Sequence, residues 1–432
     1  MGGSPPSMSA LMLASVALSA VVFGRPTHAK PGRSQIRFLG LPTRSHLEPL
    51  KFHPDGTFQI SIFEDLHFGE NAWEPWGPRQ DRQSVKVMEG VLDAEPFTDL
   101  VVLNGDLITG ENTFVENSTH YVDQIVRPMV QRGLTWASAY GNHDNDFNIS
   151  TSEILAREKL WPNSRTTQMV LEPDTGVSNY YLPVVGPDCE YPELYDCPPA
   201  LLLWFFDSRG GFHFQEKDPE TGRRIGQPNW VDSRVVDWFL STSTKLTAAF
   251  GRPIPSLAFV HIPTHASLAL QKKGVDRHRQ PGINDDKPLS RQAQGWCEDG
   301  TSDGRCEYGG QDVPFMRAIA STPGLMALFS GHDHGDTWCY KWDGLIPGMT
   351  VRGNGINLCF GQHSGYGGYG SWIRGARQVI VSMEGLQNLA VDTYIRLESG
   401  KVVGAVTLNS TYGKDLYPAT PNRKSTAPPR GH

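Results

Sequence analysis

The sequence predicts an α/β fold with its reactive side chains collected at the C-terminal ends of buried strands. Three observations carry that expectation. Short apolar runs recur along the chain and each closes on a polar cluster; helical periodicities separate them; and the last part of the chain switches to strands joined by a tight turn. Runs of this length suit strands covered on both faces, and open α/β sheets place their sites beyond the carboxyl ends of such strands.

In chain order, Phe58 to Phe63 precedes Glu64-Asp65-Leu66-His67, Leu100 to Leu103 precedes Asn104-Gly105-Asp106, and Leu134 to Tyr140 precedes Gly141-Asn142-His143-Asp144. Leu201 to Phe206 then precedes Asp207, Leu257 to Val260 precedes His261, and Leu325 to Phe329 precedes Gly331-His332-Asp333-His334. Between them, Val85, Met88, Val91 and Leu92, then Val122, Ile125, Val126 and Met129, then Val231, Val235, Trp238 and Phe239 repeat at helical spacing. Arg377 to Met383, Leu389 to Leu397 and Val402 to Leu408, with a Ser399-Gly400-Lys401 turn, read as antiparallel strands completing a second sheet.

The ends of the chain read differently. Ala10 to Phe23 is the most apolar run, too short to span a bilayer comfortably, and residues 1–24 read as a signal peptide, with cleavage near Ala20, Gly24 or Ala29. No other stretch suggests a membrane anchor. Residues 25–55 are an N-terminal extension, 56–412 the folded domain, about 270–310 an aperiodic insertion, and 413–432 a Pro-rich tail expected to be disordered. The net charge of −7 is spread, with no basic stripe, so nucleic acid is not an expected partner. Six cysteines form three sequence-local pairs, Cys189 with Cys197, Cys297 with Cys306 and Cys339 with Cys359. An even count suits disulfides in an oxidising compartment, the local pairing being one of many connectivities. Sequons at Asn117, Asn148 and Asn409 add the expectation of a secreted or vacuolar glycoprotein.

The chemistry lies in the residues just past the strands. Asp65, His67, Asp106, Asn142, His261, His332 and His334 are all oxygen or nitrogen donors, which turns the reading away from structural zinc and toward Fe, Zn or Mn. Singly, each has an ordinary explanation: Asp-x-His and Asn-Gly-Asp are common turn chemistry, and a lone histidine before Ile262-Pro263 is ordinarily a satisfied core residue. Jointly they do not. Seven donors exceed the needs of one ion that must also hold water and substrate, but suit two ions sharing a carboxylate, the arrangement that clamps an in-line displacement at phosphorus. His332 and His334, two positions apart on an extended segment, point to one side.

The ordered set Asp65-x-His67, Gly105-Asp106, Gly141-Asn142-His143-Asp144, His261 and Gly331-His332-x-His334 resembles the calcineurin-like metallophosphoesterases, over about Phe58 to Leu408. The resemblance implies a four-layer αββα sandwich of two mixed sheets flanked by helices. It also implies one ion held by Asp65, His67, Asp106 and His334 and another by Asp106, Asn142, His261 and His332, with Asp106 bridging. Asp-Leu-His-Phe-Gly at 65–69 looks like the branch of fungal and plant relatives of purple acid phosphatases.

The expected activity is hydrolysis of small phosphate esters by metal-activated hydroxide, with His143 as leaving-group acid and Asp144 orienting its imidazole. His363 and Tyr366, in the Gly-rich stretch Cys359 to Tyr369, are the expected substrate contacts. The alternatives are a nucleotide or nucleic-acid phosphodiesterase and a non-catalytic glycoprotein of the same fold. Where purple enzymes carry Gly-Asp-x-x-Tyr this chain has Thr109, so no iron-tyrosinate chromophore is expected. The metal-loaded protein should be colourless or weakly coloured, and a strong visible absorption band would contradict this.

Overall fold

The computed structural model describes Met1 and residues 48–190, 197–290, 296–297 and 306–424. The chain divides into two units, Met1–Ile36 and Arg37–His432. The first strands of the second unit are β1 (Leu50–Lys51) and β2 (Thr57–Phe63). Helix α1 (Gly77–Ala94) leads to β3 (Leu100–Asn104), α2 (Tyr121–Gln131) to β4 (Thr135–Ala139), and α3 (Thr151–Glu158) to β5 (Tyr180–Val185) and β6 (Pro199–Phe206). A small hairpin, β7 (Phe212–Lys217) with β8 (Arg224–Gly226), precedes α4 (Ser233–Phe250), β9 (Ser256–Val260), α5 (His265–Lys273) and α6 (Val313–Ser321). Then come β10 (Leu325–Ser330), β11 (Cys339–Trp342), β12 (Ile356–Phe360), β13 (Gly375–Ser382), α7 (Met383–Gln387), β14 (Val391–Leu397) and β15 (Val402–Leu408).

Two mixed sheets result, in the orders β1-β5-β6-β9-β10-β12-β11 and β15-β14-β13-β2-β3-β4. Side-chain alternation along the strands decides the layering. In β6, Leu201, Leu203 and Phe205 share a core with Ile60, Ile62, Val102 and Val379 of the other sheet. The intervening Leu202, Trp204 and Phe206 pack instead with Val235 and Phe239 of α4 and Phe315 of α6. On the opposite side Phe63, Val101 and Leu103 pack with Met88 and Val91 of α1 and Ile125 and Met129 of α2. Both faces of each sheet are therefore covered, which explains continuous apolar runs where a half-exposed strand would alternate. The architecture is the α/β four-layer sandwich expected.

The last three strands complete the second sheet as expected, with β13 pairing antiparallel with β2 and so extending the parallel β2-β3-β4 trio. Apolar periodicity specifies burial but not the pairing partner. Several boundaries differ from the sequence reading. The expected N-terminal extension supplies β1, parallel to β5. The expected disordered tail is ordered as far as Lys424: Tyr417 N–H donates to His278 O (2.7 Å), and Ile373 N–H to Arg423 O (3.0 Å). The three local cysteine pairs are disulfides, with Cys339 and Cys359 facing one another across β11 and β12. The expected signal segment and the centre of the expected insertion lie outside the described residues. Among the described residues no helix is long and apolar enough to cross a membrane.

One buried polar group anchors the strand that leads to the central loop. Glu158 of α3 accepts from Trp136 Nε1 (3.0 Å), Tyr140 OH (3.0 Å), Ser164 Oγ (3.2 Å) and Thr166 Oγ1 (2.7 Å). Removing the carboxylate leaves several buried donors without an acceptor. Glu158→Ala should cost about 3 kcal/mol of stability in urea unfolding, and a loss below about 1 kcal/mol would show that the network relaxes.

Candidate metal centre

The parallel strands of both sheets deliver their C-terminal ends to one place. Asp65 follows β2, Asp106 follows β3, Asn142 follows β4, His261 follows β9 and His332 follows β10. Backbone bonds lock the ends together: Asp65 N–H donates to Gly105 O (3.1 Å), His67 N–H to Asp106 O (2.9 Å) and Gly331 N–H to His261 O (3.0 Å). The turns are tight. Of nine non-glycine residues at positive φ among the described residues, four are Asp65 (53°), His67 (48°), Asp106 (50°) and His332 (76°), a concentration typical of functional loops. Two glycines let the loops approach: a Cβ on Gly105 would stand 2.4 Å from the His261 ring, and one on Gly141 2.3 Å from Asp106 Oδ1.

The six expected Asp and His donors come together. One ligand atom from each member of three sets, Asp65/His67/His334, His67/Asp106/His143 and Asp106/His261/His332, lies within 4.8 Å of its companions. The hydrogen bonds behind the rings decide what they offer. His334 Nδ1 faces the Tyr369 carbonyl (2.9 Å) and His261 Nδ1 the Asn104 carbonyl (2.8 Å). A carbonyl only accepts, so in each ring Nδ1 bears the proton and the neutral form turns a lone pair inward at Nε2. His334 Nε2 then stands 3.2 Å from His67 Nε2, whose own Nδ1 meets Thr109 Oγ1 (3.1 Å). Asn142 Oδ1 and His332 Nε2 are buried with no hydrogen-bond partner. His261 Nε2 is 2.9 Å from Asp106 Oδ2 but at an angle that makes no hydrogen bond. Inward lone pairs, orphaned donors and two buried carboxylates fit cations, the borderline ions that imidazole and carboxylate favour.

Titration in the metal-free protein follows the same geometry. Burial holds His67 well below its ordinary pKa and His332 at about 3, the latter aided by His261. For His261 burial opposes protonation, yet Asp106 and Asp65 outweigh it and lift the ring to about 10. A proton there occupies the place a cation would take, so loading the site releases it.

His143 lies at the mouth, its side chain a third exposed. Its backbone N–H donates to Asp106 Oδ1 (2.8 Å), and its Nδ1 meets Glu111 (2.8 Å to Oε1), so Nε2 takes part in neither contact. Burial lowers its pKa, but Asp106 and then Glu111 raise it to about 10, so the ring is protonated at neutral pH. The expectation for Asp144 is corrected here. Its carboxylate is fully buried and accepts from Leu107 N–H (2.8 Å), Ile108 N–H (2.9 Å) and Gly141 N–H (2.8 Å). It buckles the two loops together, and the carboxylate beside the imidazole is Glu111.

The expected substrate contacts are corrected as well. His363 is buried behind the site, its ring 3.9 Å from that of His334 and its Nε2 3.1 Å from Gly367 O. Tyr366 points away, its hydroxyl donating to Glu398 (2.6 Å) beneath Arg374. The residue of that stretch at the site is Tyr369, which stacks on His334 (4.0 Å, 10°), accepts the His334 N–H at its hydroxyl (3.0 Å), and donates to Asp286 Oδ2 (2.5 Å). Of the sequons, Asn117 is exposed, Asn148 Nδ2 donates to Thr113 O (3.0 Å), and Asn409 Oδ1 accepts from Thr411 N–H (2.9 Å).

A family model described as Calcineurin-like phosphoesterase matches residues 62–336. The chain belongs to that family. It is 25% identical over 365 residues to "Probable inactive purple acid phosphatase 29" of Arabidopsis thaliana, covering 79% of this chain and 81% of that one. It is 22% identical over 349 residues to "Phosphatase DCR2" of Saccharomyces cerevisiae, covering 77% of this chain and 53% of that one. Among solved structures, a dimetal phosphatase from Danio rerio aligns with TM-score 0.46 and 12% identity, over 82% of this chain and 98% of that one. The match ends at Asp336, so the wall made by Tyr369 and the β13–β15 strands lies beyond it.

Glu111 predicts a pH effect. A proton on His143 is held below its raised pKa and lost above it, and Glu111→Gln removes one cause of the raise. The alkaline limb of kcat/KM should therefore move to lower pH by about one unit; an unmoved limb would remove Glu111 from the role.

Proposed function

We propose that this protein is a secreted or vacuolar phosphoester hydrolase working with two divalent or trivalent ions, Fe, Zn or Mn. The observation that carries the reading is the gathering of six Asp and His donors into overlapping buried clusters, with His261 Nε2, His332 Nε2 and the neighbouring Asn142 Oδ1 left without a hydrogen-bond partner. Asp65, His67, Asp106 and His334 would hold one ion, and Asp106, Asn142, His261 and His332 the other. Bound there, such ions supply Lewis-acid polarisation of a phosphoryl oxygen and a nucleophile at neutral pH. The chain's own contribution to proton transfer is His143, which gives the Nε2 proton to the leaving oxygen while Glu111 holds Nδ1. Asp106, accepting the His143 N–H, ties that acid to the ion site. The three disulfides support an oxidising compartment. A non-catalytic role is the second reading, favoured by the word "inactive" in the names of Arabidopsis relatives.

Metal analysis joined to a panel of phosphomonoesters and diesters separates the two. Chelation should abolish turnover and add-back restore it; a metal-free protein that turns over nothing after loading would defeat the hydrolase. His143→Asn should lower kcat roughly 10²-fold with metal content intact. Loss of metal in that variant would make His143 a ligand instead of an acid.

A further inference from the structure

Two loops leave the metal-site histidines and meet again at the surface. One runs from His67 through Gly69 to Trp76. The other starts at Thr109, against His67, and passes Glu111, against His143, on its way to Asn117. Ala72 N–H donates to Asn112 O (3.5 Å), and a Cβ on Gly69 would stand 2.7 Å from Thr113 Cγ2, so the loops run side by side. On them the rings of Trp73 and Phe114 meet edge to face, centroids 5.8 Å apart at 65°. They remain 53% and 48% exposed, beside Val115 at 41%. A contiguous apolar surface of this kind on a soluble protein marks a binding site.

Position and charge say what it binds. Phe114 follows Glu111 by three residues, so at most about 11 Å of chain separates the aromatic pair from the carboxylate that holds His143. No Lys or Arg occurs in 68–78 or 107–126, while Glu74 and Glu116 are exposed on these loops. The cations that other segments bring near are already paired, Arg157 with Asp123 and Arg224 with Asp146, whereas a flat uncharged group finds two aromatic faces.

We propose that Trp73 and Phe114 form a leaving-group subsite for phosphoesters of flat aromatic alcohols. The proposal rests on the hydrolase reading above. In the reaction water supplies the oxygen that bonds phosphorus and loses a proton to solvent. The bond between phosphorus and the aryl oxygen breaks, its electron pair stays on that oxygen, and the His143 Nε2 proton joins it; solvent then reprotonates His143. The products are the aromatic alcohol and phosphate.

The test compares kcat/KM for naphthyl phosphate, phenyl phosphate and glycerol 2-phosphate on the metal-loaded full chain, and separately titrates 2-naphthol by protein fluorescence. The wild type should prefer naphthyl to phenyl phosphate. In the doubly substituted Trp73→Ala/Phe114→Ala protein the naphthyl-to-glycerol ratio should fall about tenfold, chiefly through KM, from the loss of two aromatic contacts. Phe97→Ala, an aromatic site 74% exposed at the opposite end of β3 from Asp106, should leave the ratio where it was and so controls for general surface stickiness. An unchanged ratio in an active double variant overturns the subsite and leaves the hydrolase standing, the pair being covered instead by a glycan on Asn117 or by another chain. Absence of turnover with every ester defeats the hydrolase, and the naphthol titration then decides the subsite alone: tenfold weaker binding in the double variant supports it, equal binding overturns it.

Discussion

Two carboxylates that water scarcely reaches, Asp65 and Asp106, set the terms for the rest of the centre. A buried anion persists only if cations or donors balance it. Here the balance comes from the ends of strands in both sheets: His332 N–H and the His334 ring beside Asp65, and His143 N–H, His261 and His67 beside Asp106. Without metal, protonated His261 and His143 take up the charge and hold Asp106 well below the carboxylate range against the effect of burial. The two sheets are thus coupled by electrostatics at their edges as well as by the apolar layer between them.

The geometry divides the site into halves of different character. The half around Asp106, Asn142 and His261 is built on strand ends cross-linked by backbone hydrogen bonds, with Asp144 gathering three N–H groups from neighbouring turns. The half around His334 is held from outside the parallel strands. Tyr369 grips the ring by its face and its carbonyl and accepts the His334 backbone N–H at its hydroxyl; Asp286 accepts from that hydroxyl, and Asp285 accepts from Trp372 Nε1 (2.7 Å) and Asn422 Nδ2 (2.7 Å). Segments far apart in sequence therefore fix one imidazole, and such outer contacts commonly tune metal affinity.

The sequence made the donors legible because chemistry and position coincide: each ends an apolar run, and a run covered on both faces needs no other context to be recognised. What it hid are the contacts of those donors. Asp144 adjoins His143 in sequence, but the turn between them aims its carboxylate at backbone N–H groups, and Glu111, unmarked in a single 3-10 turn, takes the place beside the ring. His363 and Tyr366 sit among glycines that suggested a ligand, yet the loop turns both inward and leaves Tyr369 at the wall. Sheet partnership was equally invisible, since apolar alternation reports that a face is covered and not by what.

The cross-strand disulfide joining Cys339 to Cys359 ties the edge strand β11 to β12, from whose end the chain passes directly into the segment carrying Tyr369. Closing a loop of 20 residues restricts the unfolded chain by roughly 3 kcal/mol in the entropic account. The grip on one histidine is thereby tied to the redox history of the chain. Protein made where thiols stay reduced loses a staple next to the Tyr369 wall of the site.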